Sequence, residues 1–202
     1  MSSEGHSTYS YEKSTASLLN GAPTRGTHKV KYQGDSEWDF QIDGVDVPVD
    51  LSLNLPHYRA RHQPVDHRMS MFIGGEREPI KLKVCRTVSS RSRFYLEIQA
   101  DASDVTVWLP SDFKGQIHYG GKASFSAGFV NRIMRNVRFN EPVEKIEQDG
   151  VVVVTRGHVT FRMWDMETGA PENGTKEQLK RFFGCTRKAP TNAIDWDFLV
   201  RD

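Results

Sequence analysis

The chain has 202 residues, with 27 Lys and Arg against 26 Asp and Glu, a formal net charge of +1 and 37% hydrophobic residues. That length fits one domain, the near-neutral balance argues against a dedicated nucleic-acid binder, and no apolar run approaches the roughly 18 residues of a membrane span. Two cysteines far apart, Cys85 and Cys185, can build neither a disulfide framework nor a four-cysteine zinc site, so a reducing, cytoplasmic compartment is expected.

Residues 1–29 are rich in Ser, Thr and Gly and hold only Leu18-Leu19 as an apolar pair, too little to offset the entropy of ordering the backbone. They are expected to form a disordered tail, and they carry the marks of neither a secretory signal nor a transit peptide. A single β-rich domain is expected over 30–202. From Trp38 the pattern alternates with a period of two, the mark of strands with one buried face. WDFQID sets Trp38, Phe40 and Ile42 against polar partners, and the run from Val45 to Leu55 alternates cleanly, with Pro48 marking an edge or bulge. Residues 56–79 break the pattern and predict a long loop, with MSMFI as a short strand inside it; such loops are uncommon unless disordered or functional.

Eight short strand patterns follow: 80–88, 93–100, 104–110, 115–119, 122–126, 136–140, 151–155 and 158–164. Their spacing predicts an all-β fold of about ten short strands, either a sandwich or a short two-sided β-solenoid. Gly120-Gly121 and Gln148-Asp149-Gly150 are the sort of turn that closes a hairpin, and 127–136 holds a helical turn. One short C-terminal α-helix is expected in NGTKEQLKRFFG, with Thr175 as N-cap, Gln178 completing a capping box, Leu179, Phe182 and Phe183 on one face and Gly184 ending it. The end of the chain alternates Ile194, Trp196, Phe198 and Val200 against Asp195, Asp197 and Leu199, which predicts a closing strand that docks into the fold.

The segments PIKLKV, LEIQADASDVTVWLPSDFKGQI, FSAGFVNRIMRNVRFNE and DGVVVVTRGHVTFRMWD, with the KEQLKRFFGC and AIDWDFL tail, are similar to a large family of fungal proteins, a domain of unknown function with many paralogues in mushroom-forming species. The resemblance spans roughly residues 79–200 and implies a β-rich intracellular domain. It brings no catalytic residues. TRGHVTFRMWD differs from the commoner family spacing by one residue before Gly157.

Sorting each strand by face gives the first candidate surface. Tyr95, Trp108, His158, Arg162 and Trp164 fall on nominally polar faces, and on neighbouring strands they would make an aromatic platform for sugars, bases or Arg side chains. The structural alternative is that the C-terminal helix, or the strand bearing Trp196, covers those rings as a second apolar layer. A second candidate comes from charge: residues 35–55 hold six acids and no Lys or Arg, whereas 57–93 hold nine Lys or Arg and three acids. Lys81, Lys83, Arg86, Arg91 and Arg93 would form an anion-binding patch, or Lys81 and Lys83 would pair across strands with Asp46 or Asp50.

His57, His62 and His67 recur every five residues beside Asp66, a spacing that fits neither a helical pair nor a zinc finger, so no metal is expected. No nucleophile elbow, P-loop or dinucleotide fingerprint is present, and no cofactor is expected. The leading expectation is a non-catalytic intracellular binding or scaffolding module with a protein or glycan partner. One alternative is a cytoplasmic lectin-like module built on Trp108 and Trp164. Another is a small hydrolase or isomerase, which needs a pocket with a His and a carboxylate in hydrogen-bond contact and for which the sequence singles out no residues. Cys85, with His118 or His158 as base, is weighed as a nucleophile and read as a buried or inert thiol. The alternating strand at 45–55 and the terminal strand are candidate edges for pairing between chains.

Overall fold

The computed structural model describes residues 23–89, 92–141 and 148–182. Its strands are β1 (Arg25–Lys29), β2 (Phe40–Val45), β3 (Val49–Asn54), β4 (Met69–Gly75), β5 (Ile80–Cys85), β6 (Phe94–Ala100) and β7 (Val105–Pro110). They continue with β8 (Gly115–Tyr119), β9 (Lys122–Phe125), β10 (Val137–Phe139), β11 (Asp149–Val154), β12 (His158–Asp165) and β13 (Ala170–Pro171), and the helix α1 runs over Gly174–Phe182.

The protein is mostly strand, arranged in two parallel sheets. Sheet A runs β1-β3-β5-β7-β12-β13, with β9 also paired to β12, and sheet B runs β10-β8-β11-β6-β4-β2. From β1 to β10 the chain changes sheet at every turn, so strands two places apart lie in the same sheet; β3 pairs with β5 and β4 with β6, while β11 inserts between β6 and β8 and β12 between β7 and β9. Parallel neighbours need a crossover, and here the crossover is a strand of the opposite sheet. Among the described residues only β12 and β13 pair antiparallel. Gly120-Gly121 therefore turns the chain from sheet B to sheet A rather than closing a hairpin, and Asp149-Gly150 opens β11 between β6 and β8. A tight turn and a corner use the same residues, because both need Gly, whose φ reaches +94° at Gly121.

In-register pairing stacks like residues into rows. Inside sheet A, Val49, Ile80, Val105 and Val159 form one row, and Leu51, Leu82, Val107 and Phe161 the next. Inside sheet B, Met71, Leu96, Val151 and Ile117 line up in the same way. These side chains are essentially fully buried, and ring contacts such as Tyr119 to Phe161 at 5.8 Å join the two sheets. At about 25 cal/mol per Å² of apolar surface removed from water, such rows dominate the stability of the fold.

Where the chain leaves β5, Arg86 closes one end of the core. It donates to Asp149 at 2.9 and 3.2 Å, to Asp112 at 2.6 Å and to the Ser92 carbonyl at 3.0 Å. Asp149 also accepts the Phe94 N–H at 3.2 Å, so one buried group ties both sheets together. Burial works against the charge of Arg86, but Asp149 and Asp112 outweigh it and hold the guanidinium protonated. Burial pushes the Asp149 carboxyl up, and Arg86 and the Phe94 N–H hold that rise back.

Four sequence expectations are corrected here. The tail was expected to reach residue 29, but Arg25–Lys29 pair with β3 residue for residue, because an edge strand needs backbone partners more than apolar side chains; residues 1–22 lie outside the described residues. The alternating run from Val45 to Leu55 is not one strand: Val45 ends β2 in sheet B and Val49 begins β3 in sheet A, with Pro48, which has no amide to donate, at the corner. Thr175 does not cap α1; Asn173 does, its side chain accepting the Lys176 N–H at 3.2 Å. Leu179, assigned to a buried stripe, is 49% exposed. The closing strand at 194–200, and the side chains of Phe182 and Phe183, lie outside the described residues.

Candidate functional site

The five residues of the expected aromatic platform do not come together. Trp108 and Arg162 are directly paired on the outer face of sheet A, with Trp164 two residues along β12. Tyr95 belongs to sheet B, where it stacks on Trp38 at 6.1 Å, lies under Arg68 and donates to Glu97 at 2.8 Å. Burial, with Glu97 beside it, pushes the Tyr95 phenol up to about 12. His158 sits at the start of β12, its Nε2 2.9 Å from Ser124 Oγ.

Around Trp108 the outer face forms a strip of alternating charge. Lys83 Nζ lies 5.3 Å from the Trp108 ring on one side and Arg162 Cζ 5.5 Å on the other. Lys83 also donates to Asp50 at 2.6 Å, and Arg162 donates to the buried Glu172 at 3.3 Å. An open platform does not describe this ring, and the side chains of Phe182, Phe183 and Trp196 that were to cover it lie outside the described residues. Two cations grip it, each anchored by an acid, an arrangement of the kind worth about 0.5–2 kcal/mol per cation–ring contact.

The anion patch dissolves for a related reason. Lys83 is paired with Asp50, as the cross-strand alternative expected, and Arg86 is buried between two carboxylates. Lys81 lies exposed beside Asp50 and Thr106 on sheet A, whereas Arg93 adjoins β6 in sheet B, its carbonyl accepting the Met69 N–H. Arg91 lies outside the described residues. The sequence places these cations close in number, but the corner after β5 sends them to different sheets.

A different site emerges at the C-terminal ends of β1, β3 and β5. A groove of ≈ 720 Å³ runs across the outer face of sheet A from Lys29 and Lys31 to Trp164. Its floor is the outer row Lys29, Asn54 and Cys85, brought together by register. Its far wall is Trp164 with Met166, and its near wall is the loop after β3, which carries His57 and Tyr58. That loop is the long segment flagged in the sequence, and it is pinned down. The Ser92 hydroxyl donates to the Pro56 carbonyl at 2.7 Å, and Thr87 Oγ1 lies 2.7 Å from His57 Nδ1. Further along it, His67 Nε2 lies 2.7 Å from Asp39 Oδ2, a carboxylate that also accepts the Gln33 and Ser70 N–H groups at 2.8 Å. His57 and His67 thus serve different partners.

Among the described residues no carboxylate lines the groove, and its cations are Lys29, Lys31 and the acid-paired Arg86. Burial pushes the Cys85 thiol up to about 12, with Lys83 opposing it weakly, so the thiol stays protonated at neutral pH. A protonated thiol is a poor nucleophile. Among the described residues no group of three or more His, Cys, Asp or Glu is placed to hold a metal ion. Of the candidate residues weighed in the sequence, Trp164, Arg86 and Cys85 are among the described residues that reach this groove. The others were missed because β1 was read as tail, although Thr27, Lys29, Ser52 and Asn54 all follow the same alternation.

Fold and groove together define a parallel two-sheet β protein with a concave, cation-rimmed surface at one end of a sheet. The chain belongs to the family described as Domain of unknown function (DUF7330), whose model matches residues 34–148, more than half of the chain. The match includes β2 to β10 and the loop wall of the groove, but neither β1 nor Trp164. No curated protein and no solved structure matches the chain.

Proposed function

We propose that this protein is a non-catalytic binding module that takes an elongated ligand, apolar or ring-bearing along its length and anionic at one end, in the groove between Lys29 and Trp164. The observation that carries the reading is the composition of that groove: aromatic and aliphatic walls, two exposed lysines at one end and, among the described residues, no acid. Its volume falls within the roughly 300–1,000 Å³ of small-molecule sites. The stacked parallel rows support treating the frame as a short two-sided solenoid, stiff enough to hold the groove open without a ligand. The high thiol pKa of Cys85 favours binding over nucleophilic chemistry. A cytoplasmic location goes with this reading because Cys85 is a free thiol. No helix among the described residues is long and apolar enough to cross a membrane.

A lectin-like role is a second reading, favoured by Trp164 and the 78% exposed Tyr58 beside the amide of Asn54 and the hydroxyl of Thr87. One thermal-shift screen of the full chain separates the two. A ligand at about a hundred times its dissociation constant adds roughly 2.7 kcal/mol of stability. If the main reading holds, inositol phosphates, nucleotides or anionic head groups raise the melting temperature, and Lys29→Ala with Lys31→Ala removes the shift. Stabilisation by neutral sugars that is lost only in Trp164→Ala selects the lectin reading. A chain that no probe stabilises contradicts both.

A further inference from the structure

Because the chain passes from sheet A to sheet B and back, its corners fall along two opposite edges of the molecule. In-register pairing aligns Lys29, Asn54 and Cys85 at the ends of β1, β3 and β5, and Met69 with Phe94 at the starts of β4 and β6. The corners 55–68, 86–89 with 92–93, and 111–114 join such ends and share one edge; 46–48, 76–79 and 101–104 share the other.

The two edges differ in charge. The second carries Asp46, Glu76, Glu78, Asp101 and Asp104 against Arg77, and Arg156 of the following corner is paired with Asp101. On the first, 55–68 holds Arg59, Arg61 and Arg68 with Asp66 as its one acid, and Arg93 stands at the next corner. Arg59 and Arg61 are exposed and, among the described residues, take part in no ion pair, whereas Arg86 and Asp112 on the same edge neutralise each other. The acids Asp35 and Glu37 stand apart, in the corner between β1 and β2.

Apolar exposure is uneven in the same sense. Tyr58, Val65 and Val88, 78%, 75% and 72% exposed, are the most exposed large apolar side chains among the described residues, and all three belong to the arginine-bearing edge. A single exposed apolar residue is ordinary; three on adjoining corners, interleaved with unpaired arginines, are not. The corners that present them are built rather than loose. Gln63 N–H donates to the Ala60 carbonyl at 3.1 Å and His67 N–H to the Pro64 carbonyl at 3.3 Å, two tight turns in succession with Val65 in the second. Thr87, next to Val88, lies 2.7 Å from His57, next to Tyr58, so the two corners are joined.

We infer that this edge docks on an anionic lipid surface, with Val65 and Val88 entering the head-group layer, the Tyr58 ring lying at its level and Arg59 and Arg61 meeting the lipid anions. Interfacial binding needs both parts, apolar area that leaves water and cations that meet charged head groups, and Tyr is at home at that boundary. A nucleic acid would satisfy the arginines but leave both valines in water. The acidic edge stands a strand length away, roughly 20 Å, beyond the Debye length of about 8 Å, so it does not cancel the attraction although the net charge is only +1. Tyr58 also lines the groove, but the docking uses neither Lys29 nor Lys31 and holds whatever the groove binds.

Co-sedimentation of the full chain with vesicles tests it, using phosphatidylcholine alone and phosphatidylcholine with phosphatidylserine in a ratio of about two to one. The chain is expected to bind the mixed vesicles and not the neutral ones. Binding should weaken as salt rises from about 0.1 to about 1 M, where the Debye length shrinks from about 10 to about 3 Å. Arg59→Glu with Arg61→Glu, and separately Val65→Asp with Val88→Asp, should each lower the partition coefficient at least about tenfold. Both double variants should keep the native melting temperature, since the side chains are exposed, and Val65→Leu with Val88→Leu should bind at least as well as the native chain. A chain that ignores the mixed vesicles overturns the proposal, and so does equal binding to neutral ones. Binding that survives both double variants, or that Lys29→Ala with Lys31→Ala abolishes while the arginine pair leaves it intact, overturns it as well.

Discussion

Trp108 and Trp164 look alike in the sequence, two tryptophans on outward positions of neighbouring strands, yet their surroundings give them different work. Trp108 is held between Lys83 and Arg162, so Trp108→Ala removes a ring and frees two cations. A loss of about 2–4 kcal/mol in urea denaturation is expected, against less than about 1 kcal/mol for Trp164→Ala. Arg86 is a sharper case, because removing it strands the Asp149 carboxylate in the core without a counter-charge. Arg86→Met should cost about 3–5 kcal/mol, while Lys81→Met, on the exposed face, should change stability by no more than about 0.5 kcal/mol. The sequence could not separate these lysines and arginines, because what distinguishes them is the partner that a distant strand delivers.

At the scale of the element, alternation was a reliable guide to strands and a poor one to their connections. The runs at 80–88, 93–100, 104–110 and 158–164 each contain a strand, with the apolar residues of one face buried as the period of two requires, although the first strand stops at Cys85 and leaves Val88 72% exposed. Whether two such strands form a hairpin or lie in different sheets depends on corners, and Gly and Asp serve both. Gly157 shows why some of these corners are fixed: a Cβ there would sit 2.3 Å from the Ser103 carbonyl oxygen. Gly115 is tighter, with the Asp149 carbonyl oxygen 1.9 Å from such a Cβ. Gly115→Ala is therefore expected to lower the melting temperature by several degrees, at roughly 2–4 °C per kcal/mol for a chain of this size. Gly44→Ala tests the other cause of cost, since its Cβ meets nothing but its φ is +66°; it should cost only the 1–2 kcal/mol of a left-handed residue.

Across the whole molecule, the buried thiol of Cys85 and the phenol of Tyr95 set the alkaline limit. Both hold their protons to about 12 in the folded state, against ordinary values of 9.0 and 10.0. The unfolded chain gives up these protons first, so the stability they supply is complete below about pH 9 and falls as the pH rises towards 12. Cys85→Ala should flatten that fall in a pH series of urea unfolding. The groove itself was only half legible. The length of the loop at 56–79 marks it as either disordered or functional, but its opposite bank, β1, has too few apolar residues to declare itself and exists because β3 offers it a backbone ladder.

The reading of the groove as a binding site rests on Trp164 being the indole that meets a ligand. Its most direct test is the ¹H–¹⁵N spectrum of the full chain, whose four tryptophans give four indole N–H signals, recorded while inositol phosphates, nucleotides and anionic head groups are titrated in. Binding in the groove predicts that one class moves the Trp164 indole together with the Lys29 and Thr87 amides and leaves the Trp108 indole in place. A titration in which no probe moves Trp164, or in which the Trp108 signal moves instead, contradicts it.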